Sequence, residues 1–314
     1  MKQLLIVAPE AYGIIEAVLE GIKKYTDYEV DFLDLQTPCF KYKDLGQRVH
    51  NFIRKKLKLT NLKKLNHEAI INEAIKKLKP GYDAIIIIRP DIIEDVNLKL
   101  LRTKTNFFIA YYWDTAAFFP RKIIIKDIFD KVYSFDADDC KKYGFTFLSN
   151  FYFYDHIIAE PTCQVYNLSA FDYRYKLIEN IAESLQRSNI SFCFKVHTIR
   201  HFESKYISRI STVLNYTEML KEIAGAEVLL DVNKDNQNGL TFRPFEAMGL
   251  GKKLITTNKN IRSYDFYDEQ NILIIDPLNP EIPPGFFDKP YKELPMEIKE
   301  KYHIKNWIKT LLST

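Results

Sequence analysis

Residues 84–88 read Ala-Ile-Ile-Ile-Ile, an unbroken apolar run introduced by Pro80-Gly81 and stopped by Arg89-Pro90. With no polar alternation it has no face for water, so it predicts a strand covered on both sides, as in a parallel sheet flanked by helices. The signature returns at Leu4 to Ala8, at Phe107 to Tyr112 and, less purely, at Lys131 to Phe135; Val30 to Leu33 resembles a further strand, and a helical pattern from Ile14 to Lys24 separates it from the first. Strands alternating with helices predict a Rossmann-like layer sandwich over the first half.

A second series follows the segment around Glu160-Pro161. Strands are expected at Gln164 to Leu168, Ser191 to Val196, Glu227 to Val232, Lys253 to Thr257 and Asn271 to Ile275, with helices at Tyr173 to Arg187, Thr217 to Ile223 and Phe242 to Leu250. The 314 residues exceed the roughly 250 at which a single core stops growing. The expected division is an N-terminal Rossmann-like domain over residues 1–157, a C-terminal Rossmann-like domain over 158–295, and a final helix within 296–314 that docks back on the first domain. Two such α/β units face each other across a cleft at the carboxyl ends of their strands, where ligands of open sheets bind.

The net charge of +4 is too small to imply a nucleic-acid partner. Its distribution is uneven: cations crowd the stretch from Lys41 to Lys79, where the only acids are Asp44, Glu68 and Glu73. Phe52 to Leu65 reads as one basic amphipathic element, either resting on anionic lipid or presenting a solvated face of a core helix. Cys39, Cys140, Cys163 and Cys193 form no CxxC pair, so reduced thiols are expected. The start MKQLLIVAPEAYG lacks a cleavable signal pattern, and no apolar run approaches the ~20 residues of a membrane span. The expected location is the cytoplasm, with peripheral contact at the inner face of the cell membrane if the basic segment meets lipid.

The most informative stretch is QNGLTFRPFEAMGLGKKLITTN, Gln237 to Asn258. Thr241 suits an N-cap, Pro244 a first helical turn and Gly251 a left-handed C-terminal cap. A helix start of this kind, with Arg243 beside it, forms an anion site, and Glu246 lies one turn further in. The segment resembles the Glu-Ala-Met-Ala-x-Gly-x-Pro-Val-Ile motif of GT-B glycosyltransferases. Together with YYWDTAAFFPRK at Tyr111 to Lys122, FDKVYSFDADDCKKYG at Phe129 to Gly144 and YDFYDEQNILII, it is similar to the CgeB-like and lipopolysaccharide-biosynthesis glycosyltransferases.

The resemblance implies an α/β chain of GT-B architecture that holds a nucleotide-diphosphate sugar without a metal ion or other cofactor. Glu246 would receive the ribose hydroxyls; Arg243, Thr241, Leu240 and Gly239 would line the donor site. Arg174 and Lys195 look similar in position to a basic pair of GT-B relatives, and Tyr216 to a residue that stacks on the base or caps a helix. Many retaining relatives carry a glutamate seven residues before the ribose-binding one, and Gly239 stands there instead, which puts that chemistry in doubt. An inverting transfer needs a base in the N-terminal domain. Asp114 is the first choice, since it ends a strand after Tyr111, Tyr112 and Trp113, residues able to stack on sugar faces; Asp91 and Glu10 sit at comparable strand ends. Capping the turn toward Thr115 and Ala116 is the competing role for Asp114.

His197 and His201 have the spacing of zinc ligands but lack the HExxH glutamate. Asp136, Asp138 and Asp139 read as helix caps rather than a metal cluster. The expected partners are a UDP-sugar donor and a saccharide or lipid-linked acceptor. The alternatives are a nucleotide-sugar epimerase or hydrolase of the same fold, and a non-catalytic nucleotide-sugar or glycan-binding subunit.

Overall fold

The structure, a computed structural model, describes residues 2–11, 13–153, 157, 159–212, 214, 216–235 and 237–313, without the side chain of residue 216. The first sheet contains β1 (Lys2–Ala8), β2 (Tyr28–Asp34), β3 (Ala84–Ile88), β4 (Phe108–Tyr112), β5 (Lys131–Ser134) and β6 (Thr146–Phe147). All pairs are parallel, in the order β2-β1-β3-β4-β5-β6. Its helices are α1 (Ile14–Tyr25), α2 (Leu45–Lys56), α3 (Leu62–Lys77), α4 (Asp95–Arg102), α5 (Arg121–Ile124) and α6 (Ala137–Tyr143). Every residue of β3 and β4 is buried, because α1 covers one face of the sheet while α3 and α4 cover the other.

The second sheet contains β7 (Cys163–Ala170), β8 (Phe192–His197), β9 (Ile207–Ile210), β10 (Ala226–Asp231), β11 (Lys253–Thr256) and β12 (Ile272–Ile274). It too is parallel, in the order β12-β11-β10-β7-β8-β9. Read from β9, this is the 3-2-1-4-5-6 order of a dinucleotide-binding sheet, and it reverses between β7 and β10. The remaining helices are α7 (Tyr175–Arg187), α8 (Tyr216–Ala224), α9 (Phe242–Gly249), α10 (Gly285–Asp288), α11 (Met296–Lys301) and α12 (Ile304–Leu311).

The C-terminal segment does dock on the first domain, but as two helices. The backbone of Tyr152 bonds to Tyr302 O at 3.0 Å and accepts from Ile304 N at 2.8 Å; these groups are thereby lost to a continuous helix, and α12 turns away from α11. It lands on α1, where Ile304, Trp307, Ile308 and Leu311 join the core. Gly21 allows that approach: a Cβ there would stand 2.8 Å from Ile308 Cδ1.

The basic segment requires a correction. Phe52 to Leu65 is not one element but the end of α2, a turn and the start of α3. Asn61 stops continuity by capping α3, its side chain accepting from Lys64 N. No helix among the described residues is long and apolar enough to cross a membrane.

Candidate functional site

At the carboxyl ends of β7 and β10, where the second sheet reverses its order, lies a cavity of about 320 Å³. Loops leaving neighbouring strands toward opposite faces open a crevice at such a point. Asn167 and Ser169 of β7, His197 of β8, Asp231 of β10, Arg174, and Thr241, Arg243 and Glu246 at the start of α9 supply its polar lining. Ile14, at the start of α1, reaches it from the N-terminal domain.

The start of α9 is built as its residues require. Thr241 is the N-cap: its hydroxyl accepts from Arg243 N at 3.3 Å and donates to Asp231 Oδ1 at 2.9 Å. Asp231, which also accepts from Thr256 Oγ1, is buried, and that burial lifts its pKa. The cap is thus fastened to the end of β10. Pro244 brings no N–H and the Arg243 amide is taken, so fewer backbone donors face an anion than a free helix start would offer. Gly251 takes the left-handed conformation, φ 63°, just beyond the helix.

Glu246 is buried one turn inside α9, and Arg243 Nη1 donates to its Oε2 at 2.7 Å. Burial pushes the Glu246 carboxyl above its ordinary range, with Arg243 pulling the other way. Arg174 also lines the cavity, its guanidinium held by Asp172 and by Val232 O at 2.7 Å.

Other expected donor residues lie elsewhere. Lys195 is bonded to Glu222 Oε1 at 2.5 Å and does not line the cavity; the cavity residue of its strand is His197. Gly239 and Leu240 are buried between the domains: Gly239 N donates to Asp136 Oδ2 at 2.9 Å, and Leu240 O accepts from Asn150 Nδ2 at 2.9 Å. Neither can face a ligand in this arrangement. The side chain of Tyr216 falls outside the described residues.

In the first domain, β3 and β4 end in a charged cluster. Arg89, in a left-handed conformation with φ 65°, binds Asp91 through Nε and Nη2 and Asp114 Oδ2 through Nη1 at 3.1 Å. Its guanidinium lies 4.0 Å from the centre of the Phe119 ring. Burial opposes its charge, but the hydrogen bond and attraction of Asp91, with help from Asp114, hold its pKa above the ordinary value. Lys122 is fully buried, donates to Asp114 O at 2.5 Å, and is pushed down by burial to about 8.

The side chain of Asp91 is only 3% exposed, so it holds Arg89 and cannot meet an acceptor. That of Asp114 is 27% exposed. It does not cap the following turn, because Ala116 N goes to Asp139 Oδ2. Glu10 is exposed, its carboxylate accepting from Ala11 N and Gly13 N at 3.1 Å. Tyr111 and Tyr112 are wholly buried, which removes them as sugar platforms; Trp113 packs edge-on against Phe242 of the cavity wall.

His197 and His201 do not act together: His201 is exposed beside Glu203. Asp136 caps α6 as expected, accepting from Asp138 N and Asp139 N.

No protein-family model and no curated protein matches this sequence. Solved structures do. A UDP-forming alpha,alpha-trehalose-phosphate synthase from Burkholderia xenovorans superposes over 99% of this chain and 98% of its own, with a TM-score of 0.60 at 11% identity. A trehalose-6-phosphate protein from E. coli bound with UDP-2-fluoro glucose gives 0.56 at 11% identity, over 99% of both chains. The synthase of the same description from Burkholderia vietnamiensis gives 0.55 at 10% identity, over 99% of this chain and 96% of its own. The chain has the GT-B fold, two Rossmann-like domains facing across a cleft.

Proposed function

We propose that the protein is a glycosyltransferase that moves a hexose-like sugar from a nucleotide-diphosphate sugar, a UDP-sugar by preference, to a cell-surface saccharide or lipid-linked acceptor. The carrying observation is the cavity at the switch point of the second sheet, closed by the capped start of α9 with the Arg243 and Glu246 pair on its wall. The E. coli neighbour, which shares this fold, was solved bound with UDP-2-fluoro glucose, and the α9 sequence is similar to the donor motif of CgeB-like and lipopolysaccharide-biosynthesis enzymes.

In this reading Glu246 receives the ribose hydroxyls, while Arg243 and Arg174 face the diphosphate. Charge builds on the departing diphosphate during transfer, and cations fixed beforehand stabilise it without reorganisation. No metal ion is required. Asp114 is the base for the acceptor hydroxyl, held by Arg89. Residues 1–157 bind the acceptor and 158–295 the donor, in the cytoplasm at the inner face of the cell membrane.

The test is a thermal-shift and calorimetric comparison of UDP, GDP, CMP and dTDP, followed by transfer assays with the winning sugar donor in the presence of chelator. UDP should bind best and transfer should persist in EDTA. Turnover abolished by EDTA and restored by Mn²⁺ would defeat the metal-free reading; failure of every nucleotide to bind would defeat the donor site itself. Donor binding without turnover in any acceptor mixture would favour a non-catalytic subunit, and donor turnover without acceptor an epimerase or hydrolase.

A further inference from the structure

Helix α2 carries Leu45, Val49, Phe52 and Ile53, yet its one buried residue is polar. Asn51 fastens it through Nδ2 to Tyr42 Oη and through Oδ1 to Leu62 N, both at 2.7 Å. The four apolar side chains are 49% to 75% exposed. At helical periodicity they fall within an arc of about 100°, the width with which a surface helix ordinarily faces a core. Here that stripe faces outward. Leu57 and Leu59, in the turn before α3, continue it and are also exposed.

The surround is cationic. Arg48, Lys55, Lys56, Lys58 and Lys63 border the stripe, and among the described residues none of them is bonded to a carboxylate. The ammonium of Lys56 lies over the Phe52 ring, 5.1 Å from its centre, so its stem runs along the apolar surface. An apolar stripe inside a ring of cations lacking anions complements one surface closely: the headgroups and upper acyl chains of an anionic bilayer. The hairpin also stands at the cleft side of the first sheet, since His67 of α3 bonds to Leu35 O, just past the carboxyl end of β2.

We infer that α2 and its turn are a membrane-docking element that seats the outward apolar stripe in an anionic lipid surface. The inference stands on this surface alone and goes beyond the donor chemistry, so loss of nucleotide binding would leave it intact.

The test is co-sedimentation of the full chain with phosphatidylcholine vesicles with and without phosphatidylglycerol. Binding should require phosphatidylglycerol and weaken as salt is added. Lys55→Gln with Lys58→Gln should lower it roughly thirtyfold, and Val49→Ser with Phe52→Ser about tenfold or more, at unchanged melting temperature. Should the serine variant melt early, Phe52→Trp provides the second readout, its emission shifting to the blue on contact with vesicles. Equal binding to both vesicle types, or an unshifted tryptophan, overturns the inference. Full binding by the serine variant that a soluble polyanion strips away would mean a polyelectrolyte or nucleic-acid surface, and overturns it as well.

Discussion

A Cβ on Gly239 would stand 2.7 Å from the Phe135 ring and 2.9 Å from the Phe135 carbonyl oxygen. Phe135, just past β5 of the first domain, therefore fills the space that any side chain at position 239 would need. The backbone contact is tightened further by Asp136, which receives the Gly239 amide. No side chain could be placed there without parting the two contacting segments.

Gly239→Ala should accordingly destabilise the protein by about 1 to 3 kcal/mol, the usual cost of forcing atoms into a filled space. Urea unfolding measures it. A variant as stable as the parent would mean that the interface yields more readily than the 2.7 Å approach implies.

Glu246→Ala should weaken donor binding by roughly 1 to 3 kcal/mol, because a ribose hydroxyl loses its acceptor. The same change strips Arg243 of its 2.7 Å partner, so melting temperature must be recorded alongside calorimetry. Donor affinity unchanged in the folded variant would remove the ribose role.

Asp114→Asn should preserve donor binding and lower turnover by about 10² to 10⁴, the range for loss of a general base. If the carboxylate serves only to anchor Arg89, the substitution should instead lower the melting temperature and leave turnover near the parent value. Transfer at the parent rate would move the search to Glu10, an exposed carboxylate just past β1, or to a mechanism without an enzymic base.

Lys122 makes stability depend on pH. Its folded-state pKa of about 8 lies below the ordinary 10.5, so between those values the unfolded chain binds more protons and the folded state gains stability as pH rises. The full gain is about 3 kcal/mol. Comparing denaturation of the parent and Lys122→Met at about pH 7.5 and about pH 10 isolates it: the parent should gain relative to the variant, and parallel behaviour would rule the buried ammonium out as the cause.

The sheets were legible because burial on both faces leaves a local trace: β1, β3 and β4 are apolar runs that no exposed strand would tolerate. The α9 caps were legible for the same reason, since Thr241 and Gly251 answer to their own backbones. Strand β9 was not, because two of its four residues are exposed and it carries no apolar run. Apolar and basic residues run on from α2 through the turn into α3, so composition alone merged two helices into one element. Gly239 and Phe135 are far apart in the chain, and nothing local announces their contact. The burial of Tyr111 and Tyr112 was in plain view, since both belong to the run that marked β4 as covered on both sides.

The seating of α12 on α1 has a bearing on how the protein is made. Trp307 contacts Tyr111 and Phe151 edge-on or tilted at 5.0 and 4.5 Å between ring centres, so part of the N-terminal core is supplied by residues synthesised after the whole second sheet. During translation the first domain must wait with that face of α1 uncovered. Chaperone demand should fall on this exposed seam, and a fragment ending before Ile304 should aggregate through it rather than fold as an independent unit.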